Sequence, residues 1–238
     1  MATGLIVGMG EVGIALEVVL KSYHDIHTYD AKDPRRQDEF FATLKGDVDV
    51  LHICFPYSDQ FGASVQSYQE HVQPRYTVIH STVPVGTSKA LECYHSPVRG
   101  IHPHLAESMR KFYTYLAPDD ITLVGYFLDA GFRIRLAETT DDTEAGKLWS
   151  LVSYAVSIIL EKQIYEYCEN NSLDFGVIYK DFTETYNDGY ARMGVNNIQR
   201  PVLEHMEGAI GGHCVIPGVE ELADSGSELA QIILELNK

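Results

Sequence analysis

Residues 4–20, GLIVGMGEVGIALEVVL, constrain the fold more than any other stretch of this chain. A short apolar run enters a turn carrying Gly8, Gly10 and Gly13, after which Val12, Ala15, Leu16, Val19 and Leu20 recur at helical spacing. Strand, glycine turn and helix in that order build the first unit of a dinucleotide-binding sheet. One glycine bends the chain, one lets backbone approach a pyrophosphate, and one lets helix and strand pack closely. The helix start, with its unpaired N–H groups, then faces the phosphates, so Glu11 and Val12 join the three glycines in the expected binding set. The segment IHTYD follows as a second strand ending in Asp30. A carboxylate there accepts hydrogen bonds from ribose hydroxyls and repels a 2′-phosphate, which predicts NAD rather than NADP.

Strand and helix patterns keep alternating. DEFFATLKG, VDVLHICFPY, GASVQSYQEHV, YTVIHSTV and TSKALECY come first, followed by the strand-like VRGIH and DITLVGY. The expectation is an α/β fold: a Rossmann-type, doubly wound, mainly parallel sheet over residues 1–138, followed by a smaller all-helical domain over 139–238. Turns after the third and fourth strands reach the crevice at the carboxyl ends of the sheet, which adds Pro56 and Thr82 to the cofactor set. Thr82, Pro84 and Thr87 also fit plain turn and capping chemistry, and that alternative stays open.

Composition narrows the partners. With 18 basic against 34 acidic residues in 238, the formal charge is −16, and basic residues gather no further than short clusters such as DPRR at 33–36. Nucleic acid is therefore not expected. Cys54, Cys93, Cys168 and Cys214 are widely spaced and include no CxxC pair, so neither a disulfide framework nor a metal site is signalled. No run approaches the about 20 apolar residues that cross a bilayer, and no cleavable leader pattern opens the chain. A cytoplasmic protein without membrane partners is the expectation.

Beyond residue 138 the short units give way to one long helical pattern. Thr140, Asp141 or Asp142 suits its cap, Glu144 its first turn, and Leu148, Leu151, Val152, Ala155, Ile158 and Ile159 its apolar stripe. Further helices are expected at 175–187, 198–207 and 218–236. Between the last two lies GAIGGHCVIPG, which brings His213 and Cys214 to a glycine-rich turn. Read alone, Cys214 is a nucleophile, a metal ligand or a small core residue.

Taken in order, VGMGEVG, YD, HSTVPVGTSKAL, SPVRG, TEAGKLWSLVSYAVSIILEKQIYEYCE and GGHCVIP resemble the UDP-glucose/GDP-mannose dehydrogenase family over its NAD-binding and central helical domains. The resemblance implies a lysine on the long helix, Lys147, and a nucleophilic cysteine, Cys214. An alcohol would be oxidised to an aldehyde, captured as a thiohemiacetal, oxidised to a thioester and hydrolysed. His213 would orient the turn or touch substrate. It also implies a homodimer through the long helix starting near Thr143.

Several positions depart from that pattern. Leu151 stands where an asparagine is expected, Gly218 where an aspartate is expected, and Val98 where a glutamate is expected. His102 and His104 are candidates to replace the missing carboxylate, since imidazole ionises near neutrality. The resemblance covers the first two domains of that family and not its third. A single hydride transfer of the β-hydroxyacid dehydrogenase type, or NAD binding without turnover, are the alternatives.

Overall fold

The computed structural model describes residues 1–33, 44–101, 103–212 and 214–237. Two candidate residues, His102 and His213, lie outside that set, as do the arginines of DPRR and most of DEFFATLKG. The chain divides into two compact units, Met1–Lys147 and Leu148–Lys238. The division falls inside the long helix, whose start marks the boundary near 138 that the change of sequence pattern suggests.

Unit one is built on a parallel sheet of β1 (Thr3–Val7), β2 (Asp25–Tyr29), β3 (Val50–Ile53), β4 (Tyr76–Ile79) and β5 (Tyr94–His95), in the order β2-β1-β3-β4-β5. The two-residue period of each strand divides its side chains between two cores. Ile6, Val50 and Val78 face α1 (Glu11–Leu20), α4 (Leu105–Lys111) and α5 (Ile121–Asp129). Leu5, Val7, Leu51, Ile53 and Ile79 face α2 (Phe61–Val72). Burial on both faces explains why these strands read as unbroken apolar runs. The short α3 (Thr87–Ala90) follows β4.

The last part of unit one differs from the sequence expectation. The described part of VRGIH, residues 98–101, is irregular, and ITLVGY begins helix α5, whose N-cap Asp120 accepts hydrogen bonds from the backbone of Thr122 and Leu123 at 2.9 Å each. Such a cap sets a helix start despite the β-branched residues that follow it. The strands are instead β6 (Tyr113–Leu116) and β7 (Arg133–Leu136), paired in parallel, with an antiparallel bridge from His95 to Ala117.

Helix α6 runs from Thr140 to Asn171. Its cap is Thr139, one residue ahead of the expected candidates: Thr139 Oγ1 accepts from Asp142 N, and the same hydroxyl donates to Asp142 Oδ2. In unit two, Leu148, Val152, Ala155 and Ile159 form a buried stripe with Ile210, with Val219 and Leu222 of α8 (Val215–Asp224), and with Ala230 and Ile233 of α9 (Glu228–Leu236). A π-helical segment, Gly176–Asp181, leads into α7 (Phe182–Arg192).

No helix forms over 198–207, apart from a short 3₁₀ turn at Asn196–Ile198. Pro201 disfavours helical backbone at Arg200. Side chains from neighbouring helices satisfy that backbone instead: Asn187 bonds both N–H and C=O of Arg200, Tyr179 Oη accepts from Leu203 N, and Lys162 donates to Met206 O. Glu161, itself buried, holds His205 Nδ1 at 2.8 Å, and the imidazole stacks on Tyr165.

Candidate functional site

Each glycine of the first turn meets a different physical demand. Gly8 has φ +93°, and a Cβ there would lie 2.6 Å from Phe55 N, so left-handed backbone and contact with the end of β3 both require glycine. A Cβ on Gly13 would lie 2.1 Å from Gly8 O, which makes this residue the point where helix meets strand. Gly10 has nothing within 4 Å of its Cβ position. It is the N-cap of α1 and offers no side-chain cap, so the helix start is bare backbone. Open space over Gly10, with Glu11 and Val12 opening the helix behind it, is the cradle a pyrophosphate fits.

Asp30 closes one side of the turn. Its Oδ2 accepts from Met9 N and its Oδ1 from Lys32 N, each at 2.8 Å. One carboxylate therefore ties the end of β2 to the glycine turn and stands beside the cradle. Pro56 is exposed directly after Phe55, the residue that backs Gly8, and half-buried Thr82 follows Ser81. Ser81 Oγ donates to Phe55 O at 2.6 Å, joining the turns after β3 and β4. The fold thus brings Gly8, Gly10, Gly13, Asp30, Pro56 and Thr82 to the carboxyl ends of four adjacent strands. Thr87 donates Oγ1 to Pro84 O at 2.7 Å within the turn.

Glu144 does more than suit a first turn. Its two carboxylate oxygens accept from Gly86 N and Ser88 N at 2.7 Å each, capping α3 from α6. Burial pushes its carboxyl up from the ordinary range, against the pull of these donors. Three residues on, half-buried Lys147 donates Nζ to Val98 O at 2.9 Å. Where the resemblance expects a glutamate side chain, the backbone carbonyl of Val98 takes the ammonium.

Cys214 belongs to the second unit, as the N-cap of α8, and is exposed, whereas Cys54, Cys93 and Cys168 are buried. The core-residue reading of Cys214 is thereby removed. Among the described residues no cluster of three metal-ligating side chains occurs. Gly212, two residues earlier, has φ +86°. A Cβ on buried Gly218 would lie 2.5 Å from Leu151 Cδ1. The two positions that depart from the expected asparagine and aspartate are therefore one packing contact.

Sequence reasoning missed a polar network inside unit one. His52 and His80 sit on the α5 face of β3 and at the end of β4, positions where an apolar residue is expected. Ser96 O can only accept, so His80 Nδ1 donates to it at 2.8 Å; His52 Nδ1 then donates to His80 Nε2 and Tyr126 O–H to His52 Nε2, both at 2.9 Å. Burial holds His52 well below its ordinary range and His80 at about 4. His95, between Thr143 Oγ1 and Ser81 O, is lowered to about 3, again by burial first. A cavity of about 640 Å³ lined by His24, Asp49, Arg75, Tyr76 and Tyr126 opens at the amino ends of the strands, opposite the glycine turn.

No family model and no curated protein matches the sequence. Solved structures do match in fold. Against the UDP-D-ManNAc dehydrogenase of Pyrococcus horikoshii the TM-score is 0.77 at 16% identity, covering 99% of this chain and 68% of that one. The UDP-glucose dehydrogenase of Pyrobaculum islandicum gives 0.75 at 14%, covering 100% and 68%. The 3-hydroxyisobutyrate dehydrogenase of Mycobacterium tuberculosis gives 0.73 at 14%, covering 99% and 92%. At such identities the likeness is one of architecture: a Rossmann-type α/β unit followed by a helical one.

Proposed function

We propose that this chain is an NAD-dependent oxidoreductase acting on an alcohol. The glycine turn carries the reading: Gly8 and Gly13 are consumed by the fold, Gly10 leaves its space to a ligand, and Asp30 stands beside that space. The Asp30 carboxylate favours NAD over NADP by repelling a 2′-phosphate. That three solved proteins of the same architecture are dehydrogenases supports the reaction class. When bound, NAD supplies the hydride acceptor, used once for a carbonyl product and twice for an acid.

Lys147 is the group suited to steady negative charge on the substrate oxygen as the C–H bond breaks. In the fuller form of the reading, the Cys214 thiolate adds to the aldehyde carbon, and the resulting thiohemiacetal is oxidised to a thioester that water cleaves. The exposure of Cys214 supports attack by that sulfur. His213 and His102 keep the roles read from sequence: the first orients the turn or touches substrate, the second acts as acid or base. A homodimer is part of the proposal. Trp149, Val156, Leu160 and Tyr167 recur along one side of α6 and are exposed, although the adjoining side of that helix already fills the core of unit two.

One observation favours a second reading, with a single hydride transfer. The contact of Leu151 with Gly218 puts hydrocarbon where an amide and a carboxylate would serve oxyanion stabilisation and water activation. The test is calorimetric titration with NAD and NADP, then NADH counted per substrate over a panel of alcohols. Two NADH, with acid formation lost in Cys214→Ser, supports the cysteine route. One NADH, with Cys214→Ser active, supports the single transfer. Unaltered NAD binding by Asp30→Ala and Gly10→Val would overturn both.

A further inference from the structure

In a chain with 18 basic and 34 acidic residues, one surface inverts the balance. The parallel pairing of β6 with β7 sets Tyr113 beside Arg133 and Tyr115 beside Arg135, and the strand period puts all four side chains on one face. Leu116 and Ile134, on the opposite face, join the core of unit one, so the tyrosines and arginines point outward. The Arg133 and Arg135 guanidiniums lie 4.2 and 4.9 Å from the Tyr113 ring centroid, and that of Arg99 lies 5.7 Å from Tyr115. All three arginines are exposed, and among the described residues none pairs with a carboxylate. Neighbouring Lys111, by contrast, is neutralised by Glu107. The Tyr113 phenol is held below its ordinary range, by Arg133 first and Arg135 after it.

We propose that the outer face of β6 and β7 docks an extended acidic peptide segment of a partner protein. Arg133 and Arg135 are two strand residues apart, about 6.6 Å, which is also the spacing of alternate carboxylates on an extended chain. Arg133 donates one N–H to Lys111 O at 3.0 Å, but a guanidinium is planar and carries five, so one lying on a tyrosine ring still has N–H groups to present to a carboxylate. Among the described residues β7 pairs only with β6, which leaves the backbone of its other edge to receive an added strand. A nucleic-acid duplex or an anionic bilayer spreads its charge well beyond three guanidiniums and meets the acidic remainder of the chain. A short peptide does not.

The test uses the full chain and fluorescein-labelled hexaglutamate, read by fluorescence anisotropy at low and high salt. Saturable binding that weakens with salt is expected, with none for hexaglutamine. Arg133→Gln with Arg135→Gln should weaken binding by about tenfold or more, and Arg99→Gln, which lies outside the strands, by about threefold. Arg192→Gln should leave it unchanged, because Arg192 is already paired with Asp188 at 2.9 Å in the second unit. Thermal unfolding checks that each variant is folded, and Arg99→Gln serves alone if the strand variant is not. The proposal falls if hexaglutamate does not bind at low salt, as expected were the arginines only there to blunt a sheet edge. It falls equally if the arginine variants bind like the parent, or if a short DNA duplex or phosphatidylserine vesicles bind these arginines more tightly than the peptide.

Discussion

Mild acid should destabilise the first unit well before most of its carboxylates are protonated. His80 is held at about 4 and His95 at about 3, against an ordinary value of 6.5 that each regains when the chain unfolds. A depressed histidine contributes its full stability above the unfolded value and loses it as pH falls from there toward the folded value. Within that window each histidine costs about 1.4 kcal/mol per pH unit, so going from about pH 7.5 to about pH 5 removes about 2 kcal/mol for each, or about 4 for the two. His52 shifts in the same direction and adds to the loss. Glu144, raised by burial, works the other way, since its folded form holds a proton the unfolded form releases. A domain stable by about 5–15 kcal/mol gives up a sizeable share. Urea titrations followed by circular dichroism across that range measure it. Replacing His80 with glutamine changes the level of stability at every pH, but the informative quantity is the slope, which should fall by about one proton's worth. A flat profile in the parent, or an unchanged slope in His80→Gln, would refute the reasoning.

Gly13→Ala should cost about 1–3 kcal/mol or more in urea titrations, because its methyl meets Gly8 O at 2.1 Å. Gly10→Ala meets nothing, so its thermal midpoint should stay near the parent's while NAD affinity drops about tenfold or more by calorimetry; equal affinity would remove Gly10 from the cradle. Leu160→Asp with Tyr167→Asp should convert a dimer to a folded monomer in sedimentation velocity, and a parent already monomeric at micromolar concentration ends the dimer proposal.

What could be read from sequence was whatever depends on neighbours along the chain. Gly8, Gly10 and Gly13, the apolar runs of β1, β3 and β4, and the stripe Leu148, Val152, Ala155 and Ile159 each declare themselves within about a dozen residues. Misreadings had two sources. DITLVGY reads as strand because its β-branched residues mask the cap offered by its own first residue, Asp120, and 198–207 reads as helix although Pro201 interrupts it and Asn187 and Tyr179, from elsewhere in the chain, take over its backbone. The histidine network carried only a faint signal, in LHIC, VIHS and YHS, where imidazoles interrupt apolar strands. The arginine surface carried little, because Arg99 and the Arg133 and Arg135 pair of β7 come from separate segments and meet only across Tyr113 and Tyr115.

Leu151 and Gly218 carry the sharpest consequence for the chemistry. As isolated departures from a family pattern they suggest decay at two sites, but a glycine whose missing Cβ leaves room for Leu151 Cδ1 suggests mutual accommodation. Leu151→Asn alone turns an amide toward buried Gly218 and leaves it without a partner, while Gly218→Asp alone drives a carboxylate into the leucine. Only the double variant gives the carboxylate an amide to meet. Each single change should therefore be destabilising, and the pair should recover about 0.5–3 kcal/mol relative to their sum in a double-mutant cycle. If the cysteine route is latent, the double variant is also the one in which NADH per substrate should rise from one toward two. Additive costs in the cycle would mean that the two positions are independent, and the case for a reaction trimmed to one hydride transfer would lose its structural basis.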